Sequence, residues 1–212
     1  MNMLPPSLQK ERLHKVCLVL EGYEEYYYFD RILKFPCLKD KYDVQLINAK
    51  SASSIPGIFQ AAYAKNIYEI ILVVCDKDRK PEQYQEIVSK IDGVLGPGKA
   101  KEVITFTRPC TLQVILSHFG DVCLATQAKK AAQPDVERLT GVSNYGAHQD
   151  QLKEICNKIS YRSYNEMKQR ISKLSMNPDD IPSTNMLSLL EHLENQNPQW
   201  ITEINNALLD DN

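Results

Sequence analysis

Glu21, Asp76 and Asp78 are the residues of this 212-residue chain whose types and spacing could do chemistry together. The two aspartates leave the apolar run IILVVC, 70–75, as DKDRK. Two residues apart in extended chain, they stand about 6 to 7 Å from each other on one side and can reach the same ion. Carboxylates crowded at one edge repel each other unless a cation neutralises them. Mg²⁺ or Mn²⁺, hard ions that prefer oxygen ligands, would serve. Such an ion polarises a phosphodiester and activates water. Glu25, one helical turn beyond Glu21, could add a ligand or a general base. Lys77, Arg79 and Lys80 interleave with the acids and could contact phosphate oxygens. The competing reading is an exposed turn, because alternating acids and bases are common at turns and D-x-D alone is a weak signal. The order of elements around the acids favours the site.

Those elements begin at VCLVL, 16–20, a short uninterrupted apolar run suited to a strand covered on both faces. A helix follows from Tyr23, with Tyr26, Phe29, Ile32 and Leu33 at three- and four-residue steps, and ends near Phe35-Pro36. YDVQLINA, 42–49, reads as a second strand. The segment after it reads as a helix with Ser54 as its cap and Pro56 in its first turn. Residues 70–75 form a third strand, a helix follows Pro81 to about Ile91, and VITFT, 103–107, is a fourth strand. Alternation of this kind implies an open, mostly parallel four-stranded α/β sheet of Rossmann-like type, flanked by helices. In such sheets the functional crevice lies beyond the carboxyl ends of the strands, where Glu21 and Asp76 stand. Beyond Arg108 the chain becomes helical, with TLQVILSHF, DVCLATQAKKAA, SYNEMKQRISKLS, TNMLSLLEHLEN and PQWITEINNALL as helices. The expected organisation is a flexible segment 1–15, an α/β domain 16–125 and a helical extension 126–212 packed on it.

The order strand, Glu-Gly, helix, strand, helix, strand, D-x-D separates the chain from neighbours of the same sheet class. A haloacid-dehalogenase phosphatase needs D-x-D after its first strand, and a receiver domain needs a paired acid there. No G-x-G-x-x-G or G-x-x-x-x-G-K-[ST] follows a strand, so the dinucleotide and P-loop phosphate cradles are lacking.

At 43% hydrophobic and 25% charged residues, the composition is that of a globular protein. No apolar run approaches the roughly 20 residues of a membrane span, and the N-terminal stretch lacks the apolar middle of a secretory signal, so a cytoplasmic protein without a membrane partner is expected. The net charge of −2 and pI of 6.1 provide no global attraction to phosphate backbones. Any nucleic acid must be held locally or through metal ions. Cys17, Cys37, Cys75, Cys110, Cys123 and Cys156 are scattered without C-x-x-C pairs, which argues against a zinc site or disulfide framework. Cys17 and Cys75 read as small buried hydrophobes.

LVLEGYEEYYYF and LVVCDKDR resemble the two motifs of Toprim domains, found in primases, topoisomerases and overcoming-lysogenization-defect nucleases. More narrowly, the chain is similar to RloB-like proteins, a prokaryotic Toprim group associated with restriction and defence loci. The similarity rests on Glu21 to Phe29, on RPCTLQVILSHFGD at 108–121 and on Pro182 to Asn185. It implies a Toprim fold and an Mg²⁺- or Mn²⁺-dependent nuclease or phosphodiesterase, with Glu21, Asp76 and Asp78 on the ions. Its partners would be a nucleic-acid or nucleotide substrate and a defence protein. The family's Asn and Glu in the middle segment are Arg108 and Leu112 here, so an acid that could assist the metal is missing. That departure supports an alternative, a noncatalytic nucleotide- or nucleic-acid-binding subunit that docks a partner ATPase or effector. His118 matches the family's histidine, yet a lone histidine on an apolar helix face reads first as structural. Tyr26, Tyr27 and Tyr28 read as packing residues, some in the core and some outside it. Ser51, Ser53 and Ser54 read as a turn and cap, with no His-acid partner pattern for a nucleophile.

Overall fold

The structure, a computed structural model, describes residues 13–77 and 81–210. Asp78, Arg79 and Lys80 therefore lie outside the described residues, as does most of the N-terminal segment.

The sheet is built around two strands with unbroken apolar cores, Val16 to Leu20 and Ile70 to Cys75. Strand β1 (Lys15–Leu20) follows the pattern read from the sequence, and Val16 to Leu20 are all fully buried. Burial of a Val or Leu side chain contributes roughly 1.5–3 kcal/mol, so this short run supplies much of the central core. Helix α1 (Tyr23–Ile32) starts at Gly22, whose N–H donates to Glu25 Oε2 at 2.8 Å, and it buries Tyr28, Phe29 and Ile32. Strand β2 (Asp43–Asn48), helix α2 (Ile55–Lys65) and strand β3 (Ile70–Asp76) come next. Helix α3 (Pro81–Leu95) is longer than periodicity suggested, and a short α4 (Ala100–Val103) leads into β4 (Ile104–Arg108). Ser54 occupies the N-cap of α2, but its side chain does not cap. Its hydroxyl instead meets Ser51 Oγ at 2.9 Å, so the side-chain cap expected of Ser54 is not made.

β1 pairs in parallel with β2 on one side and β3 on the other, and β3 pairs in parallel with β4. The sheet has five strands rather than the expected four. The fifth, β5 (Ser183–Thr184), comes from the helical third and pairs antiparallel with β4, giving the order β2-β1-β3-β4-β5. A two-residue strand leaves no periodic trace, which is why sequence pattern misses it. Asn185 extends the seam: its side chain accepts from Phe106 N at 2.7 Å and donates to Ile104 O at 3.1 Å.

The remaining helices are α5 (Leu112–Leu116), α6 (Lys129–Thr140), α7 (Gln149–Lys158), α8 (Tyr161–Ile171), α9 (Met186–Glu194) and α10 (Gln199–Leu209). DVCLATQAKKAA is helical only from Lys129. Residues 121–128 are held open instead by the buried Gln113, whose amide donates to Val122 O and accepts from Leu124 N at 2.9 and 2.8 Å. Satisfying two main-chain groups from one side chain replaces the helical bonds that would otherwise be needed. The helical part is tied to the sheet part by Arg31, which donates twice to Ile159 O, and by Trp200, whose Nε1–H reaches Tyr42 Oη at 2.7 Å. Among the described residues no helix is long and apolar enough to cross a membrane.

Candidate functional site

β1 is the point at which the chain reverses direction across the sheet, going first to β2 on one side and then to β3 on the other. Ligand crevices of open α/β sheets form beyond the carboxyl ends of strands at this kind of switch point. Register decides what arrives there. Leu20 pairs with Val74, so β3 runs two residues past the end of β1. Glu21 N then donates to Val74 O at 3.0 Å, and Glu21 Oε2 accepts from Asp76 N at 2.9 Å. Two residues 55 positions apart are thus joined at one sheet edge, as the expected site requires.

Asp76 Oδ1 accepts two bonds from Thr111, one from its N–H at 2.8 Å and one from its hydroxyl at 3.0 Å. Thr111 opens α5 just after β4, so the carboxylate is oriented from a third stretch of chain. Glu25 is almost wholly buried, and its Oε2 turns back to the Gly22 N–H. Glu24 lines the same crevice, where Tyr145 donates its hydroxyl to Glu24 Oε1 at 3.0 Å. The cavity enclosed here measures about 200 Å³.

Charge crowding dominates the electrostatics. Burial, followed by the charges of Glu25, Glu21 and Glu24, pushes the Asp76 carboxyl well above its usual range. Burial and the neighbouring Glu25 push Glu24 up to about 7, against the opposing pull of Tyr145 and Lys129. Glu25 is raised chiefly by burial. Each protonation shift of this sign means that the ionised forms are destabilised and that an added positive charge would be favoured. One ligand atom each from Glu24, Asp76 and Cys110 lie within 4.8 Å of one another, a group able to hold a metal ion.

Of the residues singled out from sequence, Glu21, Glu25 and Asp76 meet at this edge and Asp78 lies outside the described residues. Lys77 departs from expectation. Strand alternation turns it to the opposite side from Asp76, where it is 5% exposed, with Nζ 2.8 Å from Asp179 Oδ1 and 5.4 Å from the centroid of the Tyr84 ring. Its assignment to phosphate is thereby replaced by an ion pair. The lysines that line the cavity are Lys50 and Lys129, both exposed.

Glu24, Cys110, Thr111 and Tyr145 were not anticipated. Glu24 had a legible signal: a Glu at the third helical position commonly reaches back to the cap, which occupies Glu25 and leaves its neighbour for the crevice. Cys110 had one too, because it follows β4 at the same edge of the sheet. Leu112, where the resemblance has an acid, is buried and lines the cavity. Tyr145 had none, since it comes from a loop more than a hundred residues away. His118 behaves as the structural reading holds. It is 2% exposed, its ring nitrogens lie 3.3 Å from Tyr28 Oη and 3.4 Å from Ser163 Oγ, and burial together with Arg170 pushes its pKa down to about 3. Tyr28 is in the core, whereas Tyr26 and Tyr27 are partly exposed. All six cysteines are free.

No protein-family model, curated protein or solved structure matches the chain.

Proposed function

We propose that the protein is a metal-dependent phosphodiesterase or nuclease whose centre is the carboxylate cluster at the β1–β3 switch point. The observation that carries this reading is the convergence of Glu21 and Asp76, from different strands, with Glu24 and Glu25 in one small cavity. Acids crowded into one buried edge, with Asp76 and Glu24 raised by burial and by the charges of their neighbours, form a costly arrangement for a fold that gains nothing from them, and a divalent cation removes the cost.

Asp76 and Glu24 would hold the ion, with Glu21 beside them. Thr111 and Tyr145 fix the two carboxylate directions, and Glu25 locks the turn that places Glu24. The ion, Mg²⁺ or Mn²⁺ as the acids suggest, supplies Lewis-acid activation of water and of the phosphoryl oxygens when bound. Lys50 and Lys129, at the cavity wall, take over the phosphate contact first expected of Lys77. Tyr23, exposed at the same wall and stacked on Tyr27 with ring centroids 5.9 Å apart, offers a face for a nucleobase. The similarity to RloB-like proteins supports a role in a prokaryotic defence system, alongside a partner protein.

The test is hydrolysis of single- and double-stranded DNA and RNA, and of a chromogenic phosphodiester, by the full chain with Mn²⁺ or Mg²⁺. Cleavage that Asp76→Asn lowers by roughly 100-fold or more supports the assignment. Equal cleavage by that variant refutes it. Leu112, in place of an acid, favours a second reading, a noncatalytic module that binds nucleotide or nucleic acid and docks a partner ATPase. On that reading the protein binds the ion and the nucleic acid but turns nothing over.

A further inference from the structure

Cys110 brings a thiol into the cavity of carboxylates. It is 6% exposed, lines the cavity, and places its Sγ within 4.8 Å of a carboxylate oxygen of both Glu24 and Asp76. Among the described residues its thiol donates a hydrogen bond to neither acid, and it joins no disulfide. The contrast with Cys17 and Cys75 is informative. Those two lie within the apolar runs of β1 and β3, as buried cysteines serving as small hydrophobes do. Cys110 also belongs to the buried core, but it lies at the cavity wall with its sulfur beside the carboxylates of both Glu24 and Asp76.

Two oxygens and a sulfur around one space form a ligand set with a preference. Mg²⁺ demands oxygen donors in octahedral geometry and holds its waters, so sulfur adds nothing to its binding. Zn²⁺ and Co²⁺ accept mixed sulfur and oxygen donors, and affinity rises along the divalent series toward them. Separations up to 4.8 Å are close to twice the roughly 2.3 Å length of a zinc–sulfur bond, so a small side-chain rotation brings all three atoms onto one ion.

We infer that Glu24, Asp76 and Cys110 form a mixed sulfur–oxygen site that selects a borderline-soft divalent cation, of the Zn²⁺ and Co²⁺ class, over Mg²⁺. The inference deepens the proposed metal-dependent reading, rests on the same cavity, and replaces the Mg²⁺ that the acids alone suggest by a softer ion. On binding, a metal–sulfur bond replaces the S–H bond and the proton passes to buffer.

The experiment is titration of the metal-free full chain with Co²⁺ alone, read by absorption. The wild type should develop a thiolate-to-cobalt charge-transfer band, and Co²⁺ should bind more tightly than Mg²⁺ in a competition titration. Cys110→Ser should lose the band and weaken Co²⁺ binding by at least the roughly 10–100-fold typical of losing even an outer partner of a metal ligand. Glu24→Gln should keep the band at saturation while needing more Co²⁺ to reach it, which provides a second arm if the serine variant misfolds. No band in the wild type, a band unchanged in Cys110→Ser, or Mg²⁺ binding as tightly as Co²⁺ would each overturn the inference. Failure to cleave any phosphodiester with any ion sinks the functional reading alone, because the band does not depend on turnover.

Discussion

Two buried polar clusters share helix α1, one through Tyr28 and the other through Glu24 and Glu25, and they are built on opposite principles. Around His118 the ring nitrogens face the neutral hydroxyls of Tyr28 and Ser163, and burial, with the Arg170 charge behind it, holds the imidazole uncharged by pushing its pKa down to about 3. Around Asp76 it gathers acids whose pKa values are raised by burial first and then by the charges of their neighbours. The first arrangement satisfies polar atoms at little electrostatic cost. The second stores repulsion that folding alone has no use for. A residue-by-residue search for polar burial does not separate the two, whereas the sign and origin of the pKa shifts do.

The sharpest way to break this comparison is substitution at its two centres. Asp76→Asn should lower Mn²⁺-dependent cleavage by roughly 100-fold or more while raising the melting temperature of the metal-free protein, because one of the repelling charges is gone. His118→Phe should do the reverse, destabilising the fold by about 1–3 kcal/mol in chemical denaturation as Tyr28 loses its partner, with metal binding retained. If the two variants gave the same signature, the distinction between the clusters would be wrong.

A divalent ion should act on one cluster alone. At 100 times its dissociation constant it should stabilise the wild type by about 2.7 kcal/mol, and Asp76→Asn should show little of that gain. The pH dependence sharpens the same point. Glu24 has a folded pKa of about 7, above the 4.5 of an ordinary glutamate, so the folded state binds more protons between those values. Its contribution favours folding below about pH 4.5 and is lost as pH rises through about 7. Thermal melts of the metal-free protein should therefore fall across this window, and saturating Mn²⁺ should flatten the fall. The smallest effect is expected at Lys77, whose partner Asp179 is largely exposed. Asp179→Ala should leave metal affinity as it was, because its ion pair with Lys77 faces away from the cavity.

The parallel strands were legible because their side chains are apolar without alternation, as in the runs ending at Leu20 and Cys75, and because helical spacing between them is regular. Glu21 and Asp76 were legible for the same reason, since a strand end points to a place in space once the sheet is known to be parallel. What escaped depended on contacts between distant stretches. Gln113 unwinds residues 121–128 by bonding to their main chain, and no local pattern records that. The helix at 149–158 was passed over among polar residues, although Leu152, Ile155 and Cys156 form its buried face. Lys77 was misplaced because a charged residue beside two acids invites grouping by sequence adjacency, whereas strand alternation sends neighbours to opposite faces. Glu24 and Glu25 illustrate the converse: adjacent, alike in type, and separated in role by which of them closes the turn.

The hydroxyl that Tyr145 lends to Glu24 has a consequence for how the molecule can be divided. The acids come from the first half of the chain, yet one of the groups aiming them is delivered by the second, as is the strand that finishes the sheet beside β4. A fragment stopped near residue 125 would keep every carboxylate and still lack both the brace on one of them and the hem of the sheet. Anything that grips the C-terminal helices therefore has a mechanical handle on the cavity without entering it.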